Sequence, residues 1–167
     1  MSMALADKGF RVVAWDILDG PEADLLNDSV FNQLLKQIVA GEYQVVTFGF
    51  PCNTWSRARR NDGKGPPPLR DDGEGLCGLP NLSPKDAEKV RIANLLLERT
   101  LVLLEAALKQ KLSVLFENPH NSRIWKVPKL IELIERYVGQ GGRVDFCQYG
   151  TPWRKPTLFM TWNLGSI

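Results

Sequence analysis

The feature that most constrains the fold is an alternation of short apolar runs with longer segments of helical periodicity. Continuous runs of β-branched and aromatic residues are typical of strands buried on both faces of a parallel sheet. Helices connect such strands. The sequence therefore predicts an α/β domain with a mostly parallel, Rossmann-like sheet. The expected strands are residues 11–16, 43–48, 112–116, 144–148 and 157–162, and the expected helices are residues 2–8, 22–40, 83–109 and 126–138.

One segment, residues 57–82, has no apolar period. Glycine, proline and charge dominate it, and it carries a local excess of arginine and lysine. Long irregular segments in compact domains are usually functional loops. A strong helix start follows, because Ser83 precedes Pro84 and an acid stands in the first turn at Asp86.

Composition excludes several classes of protein. A hydrophobic content of 44% and a charged content of 24% are ordinary for a globular domain. Three cysteines without a close pair and one histidine predict neither a disulfide framework nor a metal site. No leader and no run of transmembrane length is visible. We expect no membrane association and a cytoplasmic protein, or a nuclear one in a eukaryote; the sequence does not determine its oligomeric state.

Reactive side chains follow the expected strands. Cys52 comes just after the strand at residues 43–48, and cationic neighbours such as Arg57 favour the nucleophilic thiolate. Glu117 ends the strand at residues 112–116, where a carboxylate is costly unless it is used or hydrogen-bonded. Ligands of such sheets bind beyond the carboxyl ends of the strands. The alternatives without a catalytic role are a buried structural thiol for Cys52 and a carboxylate that caps the following helix for Glu117.

The ordered motifs Pro-Cys-x-x-Trp-Ser, Glu-Asn-Pro and Gln-Tyr-Gly followed by Arg-Lys-Pro-Thr begin at Pro51, Glu117 and Gln148. In this order they resemble the DNA (cytosine-5)-methyltransferases, and the short phage-type members above all. The resemblance covers most of the chain and implies a class I methyltransferase fold. It also implies DNA as substrate and S-adenosylmethionine as methyl donor.

Roles follow from this resemblance. Cys52 would add to carbon 6 of an extruded cytosine, Glu117 would hold the ring nitrogen and exocyclic amine, and Arg154 would complete the catalytic set. Residues 57–82 would correspond to the family's mobile catalytic loop. The remaining implied contacts are Asp16, Asp28 and Pro51 to the cofactor, and Ser56, Arg57, Asn118, Gln148 and Lys155 to the substrate.

The chain also departs from the family. A glycine-rich turn that normally follows the first strand is missing, which predicts a single, N-terminally truncated catalytic domain spanning residues 1–167. A target-recognition domain is not expected either. Gly150 and Pro152 stand where the family has arginines, so Arg154 or Lys155 would have to contact the base carbonyl.

Three alternatives stay open. The chain could be a DNA-binding remnant without catalysis, or it could modify another pyrimidine, because a Cys/Glu pair suits any addition to carbon 6. A cysteine hydrolase would use Cys52 with His120. Nothing else in the sequence resembles a hydrolase.

Overall fold

A computed structural model describes residues 5–164 as an α/β domain built on one four-stranded sheet. Its strands are β1 (Val45–Gly49), β2 (Ser113–Pro119), β3 (Gln140–Asp145) and β4 (Pro156–Trp162). Its helices are α1 (Asp28–Val39), α2 (Pro84–Lys109) and α3 (Pro128–Arg136). In the described part of the chain, no helix is both long and apolar enough to cross a membrane.

The sheet has the strand order β1-β2-β4-β3. The pair β1–β2 is parallel, whereas β4 runs antiparallel to both β2 and β3. The α/β class is therefore confirmed, and the expectation of a mostly parallel sheet is wrong. Residues 146–155 connect β3 to β4. They are too few for the crossover that parallel neighbours need, so β4 runs antiparallel to β3.

The expected strand at residues 11–16 is also wrong. This segment is irregular, and its apolar side chains are at most partly buried: Val13 is 51% exposed, and Trp15 packs partly buried against the core. A strand needs a hydrogen-bonded neighbour to satisfy its backbone groups, and none of the described strands pairs with this segment. The expected helix at residues 2–8 lies partly outside the described residues. At its end Gly9 adopts a positive φ of 86° and donates its N–H to Ala6, as a helix-terminating glycine does.

The longest helix, α2, organises the core. Ser83 caps its first turn by accepting from the N–H of Asp86, as the sequence predicts. The helix packs against β2 and contacts both α1 and α3. Its fully buried residues Leu103, Leu104 and Ala107 meet Val114 and Phe116 of β2 in one continuous hydrophobic cluster.

Candidate active site

Four strand ends meet at one edge of the sheet. Gly49 at the end of β1 pairs with Glu117 of β2, and Asp145 at the end of β3 pairs with Pro156 at the start of β4. Because β4 is reversed, its amino end lies beside the carboxyl ends of its neighbours. The segments that carry Cys52, Glu117 and Lys155 therefore leave the sheet at the same edge.

The turn after β1 is firmly held although it is irregular. The carbonyl of Cys52 accepts from the backbone N–H groups of Trp55 and Ser56, at 3.0 and 2.8 Å. Thr54 and Trp55 are buried, while Cys52 is half-buried and free of disulfide bonding. The thiol is therefore carried on a fixed turn, and the side chains that fix it point into the core.

Arg70 anchors this turn from the far side of the loop. Its side chain is only 1% exposed, and its guanidinium lies 3.5 Å from the centre of the Trp55 ring. It donates to Thr54 Oγ1, to Asn94 Oδ1 and to the carbonyl of Leu76. Burial lowers the pKa of Arg70 to about 10, and the Coulombic influence of Cys77 opposes that shift.

The sequence interpretation missed this role, since it noted only an excess of arginine and lysine in residues 57–82 and did not single out Arg70. Leu69, which is also 1% exposed, stands immediately before Arg70. An apolar residue at that point was the available sign that residues 57–82 contain a buried element. Residues 57–82 are irregular, as expected, apart from one 3₁₀ turn at Glu74–Cys77.

The Glu117 carboxylate has one cationic partner. Gly49, its register partner on β1, is also near, since a Cβ at Gly49 would be in ordinary contact with Glu117 Oε2 at 4.0 Å. Lys155 Nζ lies 3.3 Å from Glu117 Oε1. The neighbouring Asn118 is buried and donates to the carbonyl of Phe50 at 2.8 Å, which joins the end of β2 to the start of the Cys52 turn.

The structure separates the two cations considered for the base carbonyl. Lys155 reaches Glu117, and it also lies 4.9 Å above the Phe146 ring. Arg154 is exposed and pairs instead with Asp145, at 3.4 Å. Gln148 is exposed in the 3₁₀ turn at Phe146–Tyr149. Lys155, rather than Arg154, is therefore the cation beside the carboxylate.

The residues expected to hold S-adenosylmethionine lie on three separate segments. Asp16 follows irregular backbone and caps a 3₁₀ turn by accepting from the N–H of Leu18. Asp28 forms an ion pair with Arg99, and Pro51 is exposed at the sheet edge. Their part in cofactor binding stays a prediction of the resemblance.

Two further expected contacts lie beside the Cys52 turn. Ser56 Oγ accepts from the N–H of Ala58, and Arg57 forms a 2.7 Å ion pair with Asp72. His120 is exposed, and its backbone N–H donates to Pro156. In the described part of the chain, no hydrogen bond joins His120 to Cys52. Likewise, residues 5–164 contain no group of His, Cys, Asp and Glu placed to hold a metal ion.

Comparisons with known proteins give no relative. No family model matches the sequence, and no match is found among the curated proteins or the solved structures. A functional proposal must therefore depend on the motifs and on the geometry of this edge of the sheet.

Proposed function

We propose that this chain carries the cytosine-binding and nucleophilic part of a DNA (cytosine-5)-methyltransferase. The observation that supports this most is the pairing of Gly49 with Glu117, because it brings the Cys52 turn and the Glu117 carboxylate to neighbouring strand ends. Lys155 next to Glu117 adds a cation to the same space. A thiol, a carboxylate and a cation are the groups that addition to a pyrimidine ring requires.

In the proposed reaction the Cys52 thiolate forms a bond to carbon 6 of an extruded cytosine. The electron pair of the 5,6 double bond moves to carbon 5, which becomes nucleophilic. Glu117 hydrogen-bonds the ring nitrogen, where charge and a proton are stabilised, and Lys155 donates to the base carbonyl. S-adenosylmethionine would supply the methyl group for carbon 5. The chemistry proposed for this chain's own residues ends at the adduct.

That chemistry can be tested without the cofactor. If the adduct forms, carbon 5 takes a proton from water; loss of the original hydrogen and departure of Cys52 then restore cytosine. DNA that carries tritium at carbon 5 of cytosine should therefore release tritium into water when the chain is added. Cys52→Ala should abolish release, and Glu117→Gln should slow it about 100-fold.

Cys147→Ala is the matched control. Cys147 is an exposed thiol on the segment between β3 and β4, close in sequence to Lys155 but not assigned to the reaction. This variant should release tritium at the wild-type rate. Release that persists in Cys52→Ala, or no release from either single-stranded or duplex DNA by the wild-type chain, would contradict the proposal.

A second function, DNA binding without catalysis, is favoured by the exposed cations of the loop after Cys52, among them Arg60 and Lys64. It predicts DNA binding that weakens steeply with salt, together with no tritium release. The same pair of assays therefore separates the two functions.

A further inference from the structure

A shallow cavity of about 360 Å³ lies beside the turn that carries Cys52. The turn and the cavity wall are joined directly, because the N–H of Arg123 donates to the Trp55 carbonyl at 3.0 Å. One aromatic face, several hydrogen-bonding groups and two cationic side chains surround the cavity. Its lining residues are Arg57, His120, Asn121, Ser122, Trp125 and Lys126.

The carboxylate of Asp72 forms ion pairs with three cationic side chains at this cavity. Asp72 Oδ1 lies 2.7 Å from Arg57, 3.5 Å from Lys126 and 3.6 Å from Arg123. Three positive charges thus share one negative charge, which leaves an excess of two. Arg123 Nε is buried and, among the described residues, has no hydrogen-bond partner. Such a cluster favours a second anion.

We infer that this cavity binds a DNA phosphodiester next to the extruded base, and that Asp72 is the counter-ion of its cations when no DNA is bound. The inference rests on the DNA substrate of the proposed function. Arg57 and Lys126 are the phosphate ligands, Arg123 adds a positive charge from outside the cavity lining, and Trp125 covers the adjoining sugar. Phosphate contacts of this kind fix the register of a protein on DNA without reading its sequence.

The position of the cavity supports a backbone phosphate. Arg57 follows the Cys52 turn, and Lys126 and Trp125 follow Glu117 along the chain, so both walls begin at the segments that hold the base. An extruded nucleotide stays attached to its neighbouring phosphates, which must lie beside the base pocket. Because the Asp72 carboxylate competes with a phosphate for these cations, its removal should strengthen DNA binding.

The test measures the affinity of the full-length chain for a fluorescein-labelled cytosine duplex by anisotropy, with every variant in a Cys52→Ala background so that no covalent adduct contributes. Each cation that neutralises a phosphate contributes about fivefold to affinity at about 0.15 M salt. Arg57→Ala and Lys126→Ala should each weaken binding about fivefold and lower the salt slope by about 1. Asp72→Asn should tighten binding by about the same factor.

Asp62→Asn is the matched control. Asp62 is exposed in the same loop. Within residues 5–164 its carboxylate accepts one hydrogen bond, from the N–H of Lys64, and an asparagine side-chain oxygen can accept the same bond. Its affinity should stay within about twofold of the background variant. In the double variant Asp72→Asn/Arg57→Ala, most of the gain should disappear. Unfolding midpoints in urea should confirm that all the variants are folded.

Several results would overturn the inference. These are weaker or unchanged DNA binding by folded Asp72→Asn, an equal gain in Asp62→Asn, and no DNA binding by any variant. Inorganic phosphate distinguishes the source of the anion: if it stabilises Asp72→Asn against urea while DNA affinity stays unchanged, the cavity takes free phosphate and not DNA. If the wild-type chain releases tritium but Asp72→Asn does not change DNA affinity, the proposed function stands and the phosphate site is refuted.

Discussion

Replacing Arg70 with methionine tests what holds the Cys52 turn in place. Methionine keeps the length and much of the volume of the side chain, but it removes the charge and every donor. Arg70 is 1% exposed, and within residues 5–164 no carboxylate pairs with it. Its stabilising contacts are therefore all with neutral groups, and they oppose the cost of burying a charge.

Both sides of this balance can be estimated. Hydrogen bonds to Leu76, Asn94 and Thr54, at 3.0, 2.8 and 3.2 Å, each contribute about 1.5 kcal/mol from a charged donor. The close contact with the Trp55 ring adds about 2 kcal/mol. The lowered pKa of about 10, well below the usual value of an arginine, corresponds to a burial cost of about 3 kcal/mol. Arg70→Met should therefore lower the free energy of unfolding by about 3 kcal/mol.

Urea denaturation followed by tryptophan fluorescence and by circular dichroism measures this loss. Arg60→Met is the control, because Arg60 is exposed in the same loop, and it should change stability by less than about 0.5 kcal/mol. Arg70→Lys should recover little, since a single ammonium group cannot reproduce the planar fork of donors or its stacking. Wild-type or higher stability of Arg70→Met would refute the reasoning, because it would mean that desolvation outweighs the contacts.

Three further predictions concern the core and its edges. Hydrogen bonding from Lys109 lowers the pKa of Glu105 below its usual 4.5. The contribution of the Glu105 carboxylate to stability is therefore present above that pH and is lost as the pH falls through the folded pKa. Glu105→Gln should cost about 0.5 kcal/mol at neutral pH in urea titrations, and a difference that persists in acid would contradict this. Asn118→Ala should cost about 2 kcal/mol by leaving the buried carbonyl of Phe50 without its donor, and an unchanged urea midpoint would count against that hydrogen bond. Leu104→Ala, at a position that is 0% exposed, should lower the free energy of unfolding by about 3 kcal/mol, and a loss well under 1 kcal/mol would place this residue outside the core.

The sequence was most informative where the deciding signals are local. The expected helix at residues 83–109 is confirmed as Pro84–Lys109, because its cap, its first-turn proline and its apolar spacing all lie within it. Expected strands at residues 43–48, 112–116 and 157–162 correspond to β1, β2 and β4 with small shifts of their ends. Helices at residues 22–40 and 126–138 are shorter in the structure, since they begin at Asp28 and Pro128.

Where the prediction was wrong, a distant partner decides the outcome. Residues 11–16 have the composition of a strand, but none of the described strands pairs with them. The strand expected at residues 144–148 lies at Gln140–Asp145, because pairing with β4 extends through Gly141 and Gly142, which precede the expected start. For the candidate site, the motifs located Cys52 and Glu117. They could not show that Lys155, rather than Arg154, reaches the carboxylate, because that choice depends on how the connection before β4 folds.

The strands β1 and β2, which lead to Cys52 and carry Glu117, differ in the number of strands hydrogen-bonded to them. Glu117 stands on β2, which is hydrogen-bonded to β1 on one side and to β4 on the other. Among the described strands β1 has only β2 as a neighbour, so its residues alternate between amides that bond to the sheet and amides that face outward. Hydrogen–deuterium exchange should show this alternation along Val45–Gly49. Local opening of β1 breaks bonds to one strand instead of two, so the strand that leads to Cys52 should open more readily than the strand that carries Glu117.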